Sequence, residues 1–454
     1  MAATNGAADP LATVDTDTIN DEILLAAANH DIDTLTKLLR TGSAKIQDPE
    51  TGFSPLHAAI ASCEPDEDEK MEDAEDAGDA VHGNALSEES ALATVKLLLE
   101  NGAVWNELDN NDETPGCTAH RLGLKSVYSA IVDAGVRAEL LFGRLDGFTL
   151  LAGGDDDEDE EEEEETIDGF EPAPDRGPAT EAAKGVLEID ESCGFEPTPN
   201  PSSKVEGADV PTLTSTDPSG ADQKVDEPVL SNPNVNNDAY LKSELTYSGD
   251  RLLDSDKNAV MMDWETEIMK VSADQLAYKP GLKTMNVGHG MGIVDGMFLA
   301  NNPEMHYIVE AHPRVQKKLR DEGWHDKPNV TVLEGRWQDV LPKLIEEGVQ
   351  LDGIYYDTYA EDYKDLKEFF AEYVIALLNR DGKFGFYNGL GADRQVCYDV
   401  YTKVVELDLF DAGMDVEWTD IAVPDLKGRD EWAGVRYPYW NVDKYLLPTC
   451  KFMA

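Results

Sequence analysis

The sequence predicts an all-α helical repeat array followed by a doubly wound α/β domain, and three observations predict it. A short string of residues recurs within 20–150 at a period of about 33 once an insert is set aside. From about Ala239 onward, apolar stretches with strand character alternate with helical patterns, which implies a parallel sheet covered by helices on both faces. The first of those strands runs into the closely spaced glycines Gly288, Gly290 and Gly292, and the second ends on Glu310. Glycines let a backbone approach a bound nucleotide-like group, and a carboxylate there accepts hydrogen bonds from ribose hydroxyls. The second part therefore reads as Rossmann-like and cofactor-binding.

The array comes first. Leu38-Leu39-Arg40-Thr41-Gly42 recurs as Leu98-Leu99-Glu100-Asn101-Gly102, and Ser54-Pro55 recurs as Thr114-Pro115, both at an offset of 60. Between the copies lies an acidic insert near 64–90, and removing about 27 residues there restores the shorter period. A third echo, Ile131-Val132-Asp133-Ala134-Gly135, falls 33 residues after the second. That period, with Ser54-Pro55-Leu56-His57-Ala58-Ala59 at the turn, is the signature of ankyrin repeats, two to three of them over 20–150. The second copy, Thr114-Pro115-Gly116-Cys117-Thr118-Ala119, is degenerate. His57 is expected to stabilise the turn of its repeat rather than to catalyse. Asn106 to Asn111 should form a polar hairpin tip between repeats. So short an array is close to the minimum that buries a continuous core, so it should lean on another surface, with the C-terminal domain as the candidate.

Residues 151–237 read as a linker. Asp155 to Glu165 is an unbroken acidic run, and Pro-, Ser- and Thr-rich sequence follows. Gly169-Phe170-Glu171-Pro172 reappears there as Gly194-Phe195-Glu196-Pro197, either as low-complexity drift or as a pair of short docking motifs. Of the net charge of −56, residues 241–454 contribute 24 basic against 38 acidic side chains, so most of the excess lies upstream. Such a surface repels phosphate backbones and excludes direct nucleic-acid binding as an expectation, while it could steer a basic partner or simply keep the linker solvated. Five scattered cysteines with no C-x-x-C pair point to reduced thiols and no metal site. The first residues lack the basic and apolar regions of a signal peptide, and no apolar run approaches a membrane span. A cytoplasmic protein is expected, with the nucleus as a second compartment.

The α/β domain, 238–454, is predicted to place strands at Leu282–Val287, Tyr307–Glu310, Asn329–Leu333, Leu351–Tyr356 and Lys383–Tyr387, with Val416–Val423 and Tyr445–Phe452 as a hairpin-like edge pair. Phe369, Phe370, Tyr373, Val374, Leu377 and Leu378 form a helical core stripe that Asn379-Arg380-Asp381-Gly382 should end. The glycine spacing is G-x-G-x-G, and Ile293 stands where a dinucleotide fingerprint needs its third glycine, which favours the S-adenosylmethionine variant of the architecture. Ligands of such sheets lie beyond the carboxyl ends of the strands, so Gly288–Gly292, Glu310, Glu334–Trp337 and Asp357–Tyr359 are the candidates.

Three further stretches go beyond the loop. Val260-Met261-Met262-Asp263-Trp264-Glu265-Thr266-Glu267-Ile268-Met269 is expected to open the first helix of the domain, Glu334-Gly335-Arg336-Trp337-Gln338-Asp339 follows the third strand, and Tyr356-Asp357-Thr358-Tyr359 ends the fourth. With Gly288-His289-Gly290-Met291-Gly292 they resemble guanidinoacetate N-methyltransferase and its fungal and plant relatives, the type IV protein arginine methyltransferases, over roughly residues 240–454. The upstream repeats favour the protein-modifying members. The double-glutamate loop and Thr-His-Trp motif of the common arginine methyltransferases are absent from the sequence.

The resemblance implies methylation of the δ-nitrogen of arginine with S-adenosyl-L-methionine, on a large-subunit ribosomal protein, by a monomer whose repeats could recruit that basic substrate. It places Gly288, His289, Gly290, Met291 and Gly292 against the methionine part of the cofactor, Glu310 on the ribose with Ala311 and His312 beside it, and Gly335, Arg336 and Trp337 around the adenine. Met261 and Tyr247 would close the pocket, and Glu265 and Asp357 would hold the guanidinium, Asp357 also bordering the cofactor. Two positions depart from the pattern: His289 stands where relatives usually carry Phe, and Asn286 replaces a common acidic residue. Plainer roles are open too. They are helix-start packing for Trp337, a solvent-facing loop position for His289, a first-turn carboxylate for Glu265 and a helix cap for Asp357. Two other functions compete, a small-molecule guanidino methyltransferase and an interaction scaffold on an inactive methyltransferase fold.

Overall fold

The structure, a computed structural model, describes residues 16–64, 87–149, 237–426 and 430–453. Most of the acidic insert, the segment 151–236 with its repeated Gly-Phe-Glu-Pro, and Cys193 lie outside the described residues. No helix among the described residues is long and apolar enough to cross a membrane.

The N-terminal part builds helices in pairs: α1 (Thr16–Ala28) with α2 (Ile32–Leu38), α3 (Pro55–Ala61) with α4 (Glu88–Glu100), and α5 (Pro115–Arg121) with α6 (Lys125–Thr149). Ser54 caps α3 by accepting from the His57 N–H, and Pro55 fills the first turn, where its missing N–H costs no helical bond. His57 returns the contact, its Nδ1 accepting from Ser54 N at 3.1 Å, while Nε2 lies 3.1 Å from the Glu113 carbonyl oxygen of the next pair. Thr114 repeats the cap on α5. At the hairpin tips Asn110 donates its backbone N–H to Thr51 O and its side chain to Glu50 O, so successive pairs are tied there.

The third echo does not behave like the first two. α2 and α4 stop before Gly42 and Gly102, whereas Gly135 lies inside α6, which continues to Thr149. Its reason is contact rather than termination. A Cβ on Gly135 would stand 2.7 Å from Val400 and 3.0 Å from the Trp105 ring.

The second part opens with α7 (Asn237–Tyr240) and a small antiparallel sheet, β1 (Thr246–Ser248), β2 (Arg251–Leu253) and β3 (Ala259–Met262). The stretch expected to open a helix at Val260 is therefore strand up to Met262. A 3₁₀ turn, Asp263–Glu265, then leads into α8 (Thr266–Leu276). Four apolar residues carry too short a pattern to separate a period of 2 from one of 3.6, and pairing with β2 decided it.

The main sheet follows: β4 (Lys283–Val287), α9 (Ile293–Ala300), β5 (Met305–Glu310), α10 (Pro313–Asp321), β6 (Val330–Glu334), α11 (Trp337–Glu346), β7 (Leu351–Tyr356), α12 (Tyr363–Glu368), α13 (Ile375–Leu377), β8 (Leu378–Phe386), α14 (Gln395–Asp411), β9 (Met414–Ala422) and β10 (Lys444–Phe452). Its order is β6-β5-β4-β7-β8-β10-β9, parallel from β6 to β8. The edge pair is antiparallel as expected, with β10 slotted between β8 and β9. The core stripe of Phe369 and Phe370 lies in a π-helical segment, Phe369–Val374, that joins α12 to α13. Helix ends at Leu377, and Asn379–Gly382, expected to be the stop, already belong to β8 opposite an irregularity in β7. Chain direction across the sheet reverses between β4 and β7, which opens the crevice at their carboxyl ends.

One helix belongs to both parts. Val396, Val400 and Val404 of α14 lie in the same buried cluster as Leu56, Val95, Leu98 and Ile131 of the helix pairs. Tyr128 donates to Asp399 at 2.6 Å and Tyr401 to Glu139 at 3.3 Å across the same seam.

Candidate active site

The crevice beyond β4, β5 and β7 is a partly open cleft lined by residues from the ends of all three strands. Its floor is Gly288, and the reason for glycine is steric: φ is +99°, and a Cβ would sit 1.9 Å from the Asp357 carbonyl oxygen. Gly290, also at positive φ, leaves room for Met261, whose Cε would lie 2.7 Å from an added Cβ. Glu310, at the end of β5, is buried and bound by backbone only. Oε2 accepts from His289 N at 2.9 Å and Gly290 N at 3.4 Å, and Oε1 accepts from His312 N at 2.7 Å. Burial pushes its carboxyl above the usual range against those backbone donors. Each carboxylate oxygen has two acceptor sites, so Glu310 keeps capacity for a ligand in the crevice.

Across the crevice stand Gly335, Arg336 and Trp337. Trp337 starts α11 and packs edge-on against Tyr356, Phe369 and Tyr373, so its plain structural role is real, while it also lines the cavity. Its Nε1 donates to Glu361 at 3.0 Å. Glu361 also accepts from Asn237 Nδ2 at 3.1 Å and from the Tyr356 hydroxyl, and Arg336 pairs with Asp238. The segment carrying Asn237, Tyr240 and Leu241 thereby closes one side of the cavity.

The expectation that His289 faces solvent is wrong. His289 is fully buried. Its Nδ1 lies 2.6 Å from Asp295 of α9, whose other oxygen is 2.8 Å from His306 Nε2 on β5. Asn286 donates to the same carboxylate at 3.0 Å. Burial alone would raise the Asp295 carboxyl, but the two histidines more than offset it and hold it at about 2. A fixed anion behind the loop thus anchors the loop to β4, β5 and α9. Asn286 replaces the acid expected at its position because its amide serves that anion.

Glu265 and Asp357 are the chemically loaded pair. Glu265 ends the 3₁₀ turn and is buried. Oε2 accepts from Met262 N at 3.1 Å, so the first-turn role exists, but Oε1 accepts from the hydroxyls of Tyr387 at 2.8 Å and Tyr439 at 2.7 Å. Asp357 does not cap a helix; Asp362 caps α12. Its N–H donates to Val287 O at 2.9 Å, which binds the ends of β4 and β7 together, and its Oδ2 is buried with no partner. Burial raises both carboxyls, and the charge of Glu265 raises Asp357 further. Two acids that are costly to ionise and lack a lysine or arginine among their described partners would be eased by a cation between them.

Of the residues singled out from sequence, Met261, Gly288, Gly290, Glu310, Ala311, Gly335, Arg336, Trp337 and Asp357 line the cavity. Tyr247, Glu265, His289, Met291, Gly292 and His312 are not part of its lining. The Tyr247 hydroxyl donates to Gly290 O at 3.2 Å, Met291 N donates to Met261 Sδ at 3.3 Å, Gly292 starts α9 in the left-handed region, and His312 caps α10. Thr358 and Tyr359, both within the candidate stretch Asp357–Tyr359, line it as expected. Val260, Tyr240 and Glu361 line it without having been foreseen, and of these only Val260 carried a signal, as the first residue of the stretch that runs to Met269. Among the described residues no cluster could hold a metal ion.

Residues 235–410 match the family model described as guanidinoacetate N-methyltransferase. The chain is 50% identical over 454 residues to Protein arginine N-methyltransferase 2 of Emericella nidulans, covering 98% of this chain and 100% of that protein. It is 50% identical to the protein of the same name from Aspergillus fumigatus, with 98% and 100% covered, and 43% identical to that of Neurospora crassa, with 95% of each covered.

Proposed function

Because the chain belongs to the protein arginine N-methyltransferase 2 family, we propose that it methylates the δ-nitrogen of an arginine in a protein substrate, with S-adenosylmethionine as methyl donor. One observation carries the proposal: Glu265 and Asp357 are both buried, the charge of Glu265 raises the Asp357 carboxyl, neither pairs with a lysine or arginine among the described residues, and Asp357 Oδ2 is unpaired at the cavity. A guanidinium is planar, stays charged near neutral pH and presents a fork of donors to two carboxylates. Its entry would supply the positive charge that lets both acids ionise.

The residues present fit the nucleoside end of the methyl donor. Glu310 would accept from the ribose hydroxyls, Gly288 and Gly290 would let the methionine part approach, and Gly335, Arg336 and Trp337 would flank the base. When bound, S-adenosylmethionine supplies a methyl group on a sulfonium, whose S–C bonding pair remains on sulfur as the methyl departs. A protonated guanidinium nitrogen is no nucleophile, so the nitrogen that gains the methyl must shed one proton. Asp357 Oδ2 is the open acceptor for it. Carboxylates that grip the terminal nitrogens leave the internal nitrogen, Nδ of arginine, to face the methyl.

The helix pairs are read as ankyrin repeats that present a surface to the substrate. A basic protein of the large ribosomal subunit suits the net charge of −56, met in cytoplasm or nucleus by a monomeric enzyme. Fragmentation mass spectrometry of hydrolysed, labelled substrate tests the product. We expect δ-monomethylarginine, and an ω-methyl product would overturn the assignment. The match over 235–410 favours a second reading, a small guanidino acid as substrate. Methyl transfer to free guanidinoacetate but to no protein would establish it.

A further inference from the structure

The two carboxylates of the site are not equivalent. Glu265 Oε1 accepts from two phenols, Tyr387 at 2.8 Å and Tyr439 at 2.7 Å, and Oε2 from Met262 N at 3.1 Å. A carboxylate offers about four acceptor positions, two on each oxygen. Three are filled from within the protein, which leaves a single one, on Oε2. Asp357, by contrast, presents Oδ2 with none filled.

The phenols are themselves held. Tyr387 follows β8 directly, and its N–H donates to Tyr356 O at 2.8 Å. Tyr439 comes from the long connection between β9 and β10. Its hydroxyl accepts from Trp264 Nε1 at 3.1 Å, which commits its own proton to Glu265. Trp432 packs edge-on against the Tyr439 ring. The connection is pinned to the small sheet, with Arg251 Nη1 donating to Ala433 O at 2.8 Å and Arg436 N to Lys257 O at 2.9 Å. Burial, and then the Glu265 charge, hold both phenols well above their ordinary titration range, so they remain donors.

We propose that Tyr387 and Tyr439 are positioning residues of the guanidinium site, which saturate one oxygen of Glu265 so that this acid offers the substrate a single acceptor and Asp357 receives the rest of the fork. The inference rests on the guanidinium reading above. It gives each acid a task. Glu265 fixes the angle of the guanidinium plane through one N–H, while Asp357 engages the remaining edge. The titratable groups facing Glu265 are Tyr387 from the end of β8, Tyr439 from the connection, Tyr355 from β7, Tyr445 from β10 and Asp357. Only Tyr387 and Tyr439 among these side chains donate to it. Their loss makes ionisation of Glu265 harder, so guanidinium binding should fail at a higher pH in their absence.

The test uses full-length protein saturated with S-adenosylhomocysteine and titrated with methylguanidinium by calorimetry across pH, for wild type, Tyr387→Phe, Tyr439→Phe, the double variant and Glu265→Gln. We expect each single Phe variant to bind the probe about ten-fold more weakly, a loss typical of a hydrogen bond to a charged group. The acid limb should move upward in pH, and the effect should be larger in the double variant. Affinity for S-adenosylhomocysteine should stay within about two-fold of wild type in every variant, which shows an intact fold. Wild-type affinity and pH profile in the Phe variants, with binding lost in Glu265→Gln, would overturn the inference while the guanidinium reading stands. Undiminished binding in Glu265→Gln would remove that reading and the inference with it.

Discussion

Glu310 shows how one side chain serves structure and ligand together. Its carboxylate accepts from three backbone N–H groups of the loops after β4 and β5, and it lines the cavity. Glu310→Ala removes the proposed acceptor of the ribose hydroxyls and frees those donors, each charge-assisted bond contributing about 1.5–3 kcal/mol. Cofactor affinity measured by calorimetry should fall by one to two orders of magnitude. Asp357 should also govern how stability depends on pH. Burial raises its folded pKa above the unfolded value, and Glu265 adds to the rise. The folded state therefore holds a proton that the unfolded state releases. The stabilisation is complete below the unfolded value and is lost as pH rises through the folded one. Asp357→Asn should remove that loss, so its melting temperature relative to wild type should climb as pH rises above the ordinary carboxylate range while methyl transfer disappears. A difference in melting temperature that is flat with pH would show that Asp357 is not strained by its site.

At the scale of elements, α14 is the piece whose role depends on what lies on both sides. On its inner side it covers the main sheet, where Val405 and Leu409 join the core with Phe384 and Phe386. On its outer side Val396, Val400 and Val404 complete the core of the helix pairs. The pairs meet it through glycines. A Cβ on Gly116 would lie 2.5 Å from Val396, and one on Gly135 would lie 2.7 Å from Val400. Val400→Asp would place an unpaired carboxylate in that seam, at a cost of about 3 kcal/mol or more. A lowered melting temperature should accompany exposure of the α5–α6 pair to limited proteolysis. If the melting temperature is unchanged, the seam contributes nothing to the fold. The same seam explains how so short an array is stable. It has α14 as a further layer.

For the molecule as a whole, the sheet order decides where chemistry can occur. β4 sits between β5 and β7, so the loop bearing Gly288 and the loop bearing Asp357 emerge side by side where the direction of the chain across the parallel strands reverses. The small sheet and the connection between β9 and β10 then bring Met261 and Tyr439 to the same end from distant parts of the sequence. The acidic excess lies mainly before residue 240, away in sequence from all of these residues.

Much of this was legible in the sequence, and the reason is local. Strand and helix alternation, the glycine loop with Glu310, the Ser54-Pro55 and Thr114-Pro115 caps and the motifs around Glu265, Trp337 and Asp357 are each written in a few neighbouring residues, where backbone preference and side-chain pattern act directly. What the sequence left open depends on contacts between distant segments. His289 looked exposed because its partners Asp295 and His306 are recruited by the fold. Val260 to Met262 looked helical because their strand partner, β2, lies beyond a turn. Gly135 looked like a helix stop because Val400, the residue it makes room for, lies far downstream. Tyr387, Tyr439 and Glu361 belong to no short motif, and only tertiary structure sets two phenols on Glu265 or gathers Trp337, Asn237 and Tyr356 on Glu361. Short-range chemistry pointed to most of the elements and to a nucleotide-like ligand. Burial and long-range hydrogen bonding decided which side chains face that ligand and which stand behind them.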